Sequence, residues 1–383
     1  MTPPIGAPGD GITRREFVAA TGTVGASAAA GCTTTTEPTV EERGATRTTA
    51  TGTATSLPTT GPPEVVDLNE QGNSVTLRTV KAAHAAHPGD TMGGPVELPV
   101  VWAWQADDGT PSVPGPVLRV SEGTSFEVTL DNTGMSMPHT FHVHGIQKTW
   151  KNDGVPTTTG ITVEGGEKHT YEFTANTPGT HIYHCHYQTP RHMEMGMYGT
   201  LRVDPEGYEP ADKEYFMTVK DWDSRLSRQF AGEDVSFDLT NRRPDVFTVN
   251  GKCAPRTLHP EDGSPIIVKQ GDTVRVHWTN AGFMSHPLHT HNHRFRVVER
   301  DGSPVPEAAQ YARDTQSIGP AERYTVEFEA DADPGIYLMH CHKVDHVRNG
   351  GSYPGGMLTG IVYESAMKTD LFANLMKYAG YEV

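Results

Sequence analysis

Two tripeptides of one composition, His184-Cys185-His186 and His340-Cys341-His342, stand about one domain apart in this chain of 383 residues. Each follows a His-x2-His-x-His run, His139/His142/His144 in the first case and His286/His289/His291 in the second. A pattern that recurs with its internal spacing intact argues for a duplicated unit. In a β-strand, side chains at i and i+2 share a face and i+1 takes the other. Parity therefore turns His139 and Cys185 inward while His142, His144, His184 and His186 look outward together. The second copy sorts identically: His286 and Cys341 inward, His289, His291, His340 and His342 outward. Neither outward set of four is the natural shell of a multi-metal cluster, whereas two facing sets are.

The rest of the chain supports strands. Short apolar runs broken by turn residues, such as Val75–Val80, Val100–Trp104, Val117–Val120, Ser125–Leu130 and Tyr171–Phe173, alternate with period two. Past Pro205 the series restarts with Tyr215–Val219, Val246–Val249, Ile266–Val268, Val274–Trp278 and Tyr324–Phe328. A local phrase is shared as well, Val120-Ser121-Glu122-Gly123-Thr124 against Val268-Lys269-Gln270-Gly271-Asp272. With 40 Gly and 29 Pro in the chain, these many short strands indicate an all-β protein of two β-sandwich domains, 64–206 and 207–363. Residues 364–383 differ. Leu371, Phe372, Leu375, Met376 and Tyr378 or Ala379 fall at helical spacing ahead of Gly380, so a short docked C-terminal helix is expected.

A net charge of −16 argues against a nucleic-acid partner, and the sequence holds no apolar stretch long enough to form a transmembrane helix. Residues 1–32 carry an address: Thr13-Arg14-Arg15-Glu16-Phe17-Val18 and the later Ala29-Ala30-Gly31-Cys32 resemble a twin-arginine export signal followed by a lipoprotein cleavage box. Export with a lipid anchor at Cys32 is the expectation. Residues 33–63, rich in Thr and poor in large apolar side chains, are expected to be a disordered tether.

The inward faces carry more donors. His192 and Met197 follow Cys185, and His346 and Met357 follow Cys341. Two imidazoles, one thiolate and a weak thioether form a blue-copper electron-transfer set, and soft sulfur ligands select copper over magnesium or calcium. Histidines on both sides of Cys185 and Cys341 have no use in a disulfide, so these are read as metal ligands and Cys253 as a small buried residue. Met193 and Met195 compete with Met197 for the axial place. His84, His87, His169, His181, His259, His277 and His293 are read as ordinary surface or core residues.

His142-Val143-His144-Gly145, His286-Pro287-Leu288-His289-Thr290-His291 and His340-Cys341-His342-x3-His346 resemble the copper motifs of multicopper oxidases, specifically the two-domain laccase-like group. The resemblance spans residues 65 to 363 and implies cupredoxin-like Greek-key sandwiches. It further implies type 1 copper on His139, Cys185, His192 and Met197 and on His286, Cys341, His346 and Met357. Type 2 copper would lie on His142 and His289, and the type 3 pair on His144, His184, His186, His291, His340 and His342. Members of this group are typically homotrimers whose clusters are completed between subunits. Most carry one type 1 set; here both domains do, although family spacing would put the second axial residue at Gly351, and the insertion Arg348–Pro354 displaces Met357. Asp153 resembles the acid that supplies protons near the cluster.

The implied reaction is one-electron oxidation of a reductant at type 1 copper, coupled to four-electron reduction of O2 to water. The reductant is left open between a phenol-like compound and a low-valent metal ion. Two rival readings remain. A copper-containing nitrite reductase, NO-forming, shares Met137-Pro138-His139 and Gly196-Met197, but it has an Asp where this chain has His142, and it gives His186 and His342 no role. An exported copper-binding electron-transfer protein would need only the inward sites.

Overall fold

The computed structural model describes residues 56–89 and 94–381. The export signal, Cys32 and most of the expected tether lie outside the described residues. Alternating sequence becomes strand because one face of each run is apolar: Ser125–Asp131 buries Phe126, Val128 and Leu130, and Thr273–Asn280 buries Val274, Val276 and Trp278.

In the first half, a five-stranded sheet runs in the order Val65–Asp67, Val117–Ser121, Tyr198–Asp204, Gly179–His184, His142–Val143. It faces a four-stranded sheet of Val96–Ala106, Ser74–His87, Ser125–Asp131 and Lys168–Thr174. Leu77, Trp104, Phe126 and Tyr171 from one sheet meet Leu118, Tyr183 and Leu201 from the other in a single core. The second half repeats this. Ile266–Val268, Leu358–Tyr363, Ile336–Cys341, His286–Thr290 and Thr315–Ile318 form one sheet, and Lys213–Trp222, Thr273–Asn280 and Arg323–Glu329 form the centre of the other. A further core joins the halves, with Met193, Ile182 and Tyr198 against Trp222, Val246 and Cys253.

Register positions the site. His142 pairs with His184, and His289 with His340, directly across antiparallel strands. Leu288 pairs with Cys341, so the cysteine faces the core as its neighbours face out.

Two expectations are corrected in detail. Order begins before residue 64: Thr59 pairs with Ala83 and Gly61 with Ser112, since main-chain pairing needs no apolar side chain. The terminal helix starts only at Asp370, where the Thr369 side chain accepts from the Phe372 amide, and it ends at Tyr378. Its buried stripe is Phe372, Met376 and Ala379, while Leu371 and Tyr378 are exposed.

Candidate metal centres

The first thiolate pocket is closed by main chain. Helix Thr189–Met195 brings His192 back over Cys185, and the Met197 amide donates to the His192 carbonyl at 3.0 Å while its own carbonyl accepts from the Cys185 amide at 3.0 Å. Cys185 Sγ lies 3.2 Å from His192 Nδ1 and accepts from the Thr140 amide at 3.3 Å. His139, Cys185 and Met197 are fully buried. Among the described residues, both ring nitrogens of His139 lack a hydrogen-bond partner, an arrangement that buried polar groups avoid unless something else binds them. Trp102 packs edge-on against both rings, with centroids 5.9 Å from His139 and 4.7 Å from His192. Burial pushes His139 down to about 3 and lifts the Cys185 thiol to about 11; burial and the His139 charge push His192 down to about 2. The pocket thus favours neutral imidazoles and is short of cationic charge beside its thiol, an environment that suits a soft metal cation.

The second pocket repeats the main-chain closure. The Met357 amide donates to the His346 carbonyl at 2.9 Å, and its carbonyl accepts from the Cys341 amide at 3.0 Å. Met357 therefore occupies the place of Met197. The insertion loops out, pinned by mutual Asn349 and Ser352 bonds at 3.0 and 2.9 Å, and leaves Gly351 exposed. His286 Nδ1 is 3.1 Å from His346 Nδ1, and Cys341 Sγ is 3.5 Å from the latter. Two features have no counterpart in the first pocket. Phe247 stacks on His346 at 4.2 Å, and the outer nitrogen of His286, Nε2, meets Asp221 Oδ1 at 3.1 Å with both side chains fully buried. Burial would raise that carboxyl, but His286, Lys220 and Arg242 outweigh it and hold Asp221 well below the usual carboxylate range.

The outward histidines gather in two clusters. His184 Nδ1 lies 3.0 Å from the Cys185 carbonyl and His340 Nδ1 3.0 Å from that of Cys341. His142 Nδ1 lies 2.6 Å from the Asp153 carbonyl, and His289 Nδ1 2.8 Å from that of Asp314. A carbonyl only accepts, so each Nδ1 donates and each Nε2 keeps a free lone pair. The Nε2 atoms of His144 and His184 then face each other at 3.1 Å, as do those of His291 and His340. His186 joins the first cluster 5.1 Å from the His142 ring, and His342 the second 5.4 Å from the His289 ring. Burial pushes His144 and His184 down to about 3, helped by charge from neighbouring histidines. Facing ring nitrogens on imidazoles that burial keeps neutral, His144 with His184 and His291 with His340, fit a metal ion.

Asp153 lies beside the first cluster, half-exposed, its Oδ1 at 3.2 Å from Lys148 Nζ and 3.4 Å from His142 Nδ1. Its turn is tight: Gly154 has φ of +68°, and a Cβ there would sit 1.9 Å from the Phe141 carbonyl. Of the remaining histidines, His277 bonds Glu214 at 2.9 Å, His293 bonds Tyr363 at 2.9 Å, and His84 bonds Thr60 at 2.7 Å. Met193 packs in the core between the halves, and Met195 in the first core with Met197 and Cys185. Cys185, Cys253 and Cys341 are free and buried.

Sequence reasoning missed four supports. Asp314 holds His289 as Asp153 holds His142. Asp221 orients His286. Asn132 Nδ2 donates to the Met137 and Val163 carbonyls at 2.8 and 2.9 Å, and Asn280 Nδ2 to those of Met284 and Ile318 at 2.8 and 2.9 Å, bracing the loops before His139 and His286. The asparagines had a signal, a repeated Asn-x-Gly before each histidine run.

Two β-sandwiches, each with a buried His-Cys-His-Met pocket and an outward histidine cluster, define a copper protein of cupredoxin type. Multicopper oxidase family patterns match residues 109–207 and 233–353. The blue copper oxidase from Nitrosomonas europaea superposes with a TM-score of 0.66 at 30% identity, over 81% of this chain and 90% of that one. The multicopper oxidase mgLAC gives 0.65 at 33% identity, over 78% and 88%. A copper-containing nitrite reductase from Neisseria meningitidis is 28% identical over 260 residues, 66% of this chain and 62% of its own length. The chain spans 28 to 62% of the length of the first curated relatives it matches. The chain belongs to the multicopper oxidase family.

Proposed function

We propose that this chain is a laccase-like oxidase that couples oxidation of a small reductant to reduction of O2. Bound copper would supply one-electron chemistry, type 1 at the two thiolate pockets and type 2 and type 3 at the joined histidine clusters, where O2, four electrons and four protons give two H2O. The observation that carries this reading is the doubling of facing Nε2 pairs, His144 with His184 and His291 with His340, each at 3.1 Å. A mononuclear site would leave half of these histidines without work. Among the described residues the two clusters form separate ligand groups, so each half-set is proposed to meet the complementary half-set of another chain in a homotrimer, a heterologous contact that closes.

The chain's own residues have definite tasks. Cys185 is peptide-bonded to His184 and His186, and Cys341 to His340 and His342, so each thiolate is joined covalently to cluster ligands. His142 and His289 are held by carbonyls of Asp153 and Asp314, and the proposed task of the Asp153 carboxylate, 3.4 Å from His142 Nδ1, is to hand on protons. Export by the twin-arginine route, with a lipid anchor at Cys32, belongs to the same reading. A phenol-like compound or a low-valent metal ion is the proposed reductant.

The test is copper content per chain, subunit mass, and parallel assays of O2 and nitrite consumption. Five coppers per chain, a trimer, and O2 uptake with a near-ultraviolet type 3 band are expected. Nitrite turnover without O2 uptake would overturn the reading in favour of a nitrite reductase, and copper binding with neither turnover in favour of an electron carrier.

A further inference from the structure

A set of four charges, three buried and Arg242 partly so, lies between the two thiolate pockets. Glu194 sits on the same helix as His192, and three residues before Met197. Its side chain is 1% exposed and accepts from Arg242 at 2.7 Å, from Lys220 at 3.3 Å and from the Asp223 amide at 2.6 Å. Arg242 continues to Asp221 Oδ2 at 3.1 Å, and Lys220 donates to the Asp221 carbonyl. Asp221 Oδ1 accepts from the Phe283 amide at 2.9 Å, the Met284 amide at 3.1 Å and His286 Nε2 at 3.1 Å. The loop comes so near that a Cβ on Gly282 would lie 1.9 Å from that oxygen. Two anions and two cations thus run from the ligand helix of the first pocket to a ligand ring of the second. Buried ion sets stabilise little relative to apolar packing of the same volume, so stability alone does not account for this one.

We propose that Asp221 is a positioning residue for His286, and that Glu194, Arg242 and Asp221 form an electrostatic coupling set, so that charge on the ligand helix of the first pocket sets the copper potential of the second. The proposal rests on reading both pockets as copper sites. Asp221 takes the Nε2 proton of His286 as a hydrogen bond, which leaves the Nδ1 lone pair free on the side of Cys341, 3.8 Å away. A carboxylate partner raises the basicity of a ligating imidazole, and greater basicity favours the cupric over the cuprous ion. In a low-dielectric interior, each charge of the set acts on the copper with little screening. His139 in the first pocket has no such partner, so the effect runs toward the second site.

The experiment is a spectroelectrochemical titration of the copper-loaded full chain in a Cys185→Ser background, where only the second thiolate site reports. Glu194→Gln and Asp221→Asn each remove one negative charge with almost no change of shape. Both are expected to raise the second-site potential, Asp221→Asn the more, and Asp221→Asn also to weaken copper binding there by about 10–100-fold and change the copper hyperfine splitting. Arg242→Met is expected to lower the potential, while Arg242→Lys keeps it near the parent value. That reversal of sign is not produced by loosened packing. An intact thiolate–copper band with a potential unmoved by Glu194→Gln and Asp221→Asn, or a rise in Arg242→Met, overturns the coupling alone. Absence of the band in the Cys185→Ser parent overturns the copper reading of the second pocket and the coupling with it.

Discussion

The two thiolate pockets use the same donors and the same main-chain closure but hold their histidines by different physics. In the first, His139 has no hydrogen-bond partner, and its ring is fixed by packing against Trp102 and His192. In the second, His286 is gripped by a fully buried carboxylate and His346 is stacked on Phe247. Sequence duplication thus preserved what the ligands are and which way the chain runs between them, while the surroundings diverged. A pocket shaped by aromatic contact resists displacement in every direction; one shaped by a charge chain is sensitive to what happens at the chain's far end.

The largest expected effect tests whether the pockets are independent as ligand sets. Cys185→Ser and Cys341→Ser should each remove one of two blue coppers per chain, counted by integrated EPR. The double variant should lose oxidase turnover by well over the roughly 10–100-fold of an outer-shell change. Next is the difference in support. Asp221→Ala strips the carboxylate from His286, Arg242 and the Phe283 and Met284 amides and should cost about 3–5 kcal/mol in chemical unfolding, against a smaller loss for Trp102→Phe, which keeps an aromatic ring in place and leaves no buried charge unpaired.

Acid should separate the pockets further in the copper-free protein. Burial holds the folded His139 and His192 down to about 3 and about 2, and His346 to about 4. All three lie below the unfolded value, so the unfolded chain binds more protons and stability falls as pH drops below about 6.5. Each imidazole contributes up to roughly 1.4 kcal/mol per pH unit until its folded value is reached. Unfolding followed against pH should therefore show His346→Gln easing the loss only down to about 4, and His192→Gln easing it further, to about 2. The smallest effect checks the equivalence of the thioethers. Met197→Leu and Met357→Leu should shift their copper spectra in the same direction with less than about 1.5 kcal/mol of destabilisation; a spectrum indifferent to Met357→Leu would break the likeness.

Much of this was legible in the sequence because period-two geometry is rigid. Parity alone turned Cys185 and Cys341 away from their neighbours, and the structure gathers His139, Cys185 and His192, His286, Cys341 and His346, and three of the four outward histidines of each half. Distance along the chain was a poorer guide. Family spacing after His346 would put the axial residue at Gly351, whereas the Asn349–Ser352 turn loops the insertion out and the main chain of Met357 closes on His346 and Cys341 as that of Met197 closes on His192 and Cys185. Asp221 was illegible, since it lies 65 residues before His286, on a strand of the other sheet, and meets it only through tertiary packing. Helical spacing alone did not separate Leu371, which is exposed, from Phe372 and Met376, which are buried, because it does not say which face docks.

The pairing of His142 with His184 and of His289 with His340 also guards the assembly of the protein. A slip of one residue would put the sulfur among the outward rings and drive two imidazoles into the aromatic core, so no intermediate register yields half a site. A strand that has settled wrongly offers copper nothing to close on, and binding of the ion selects the correctly woven sheet from its near misses.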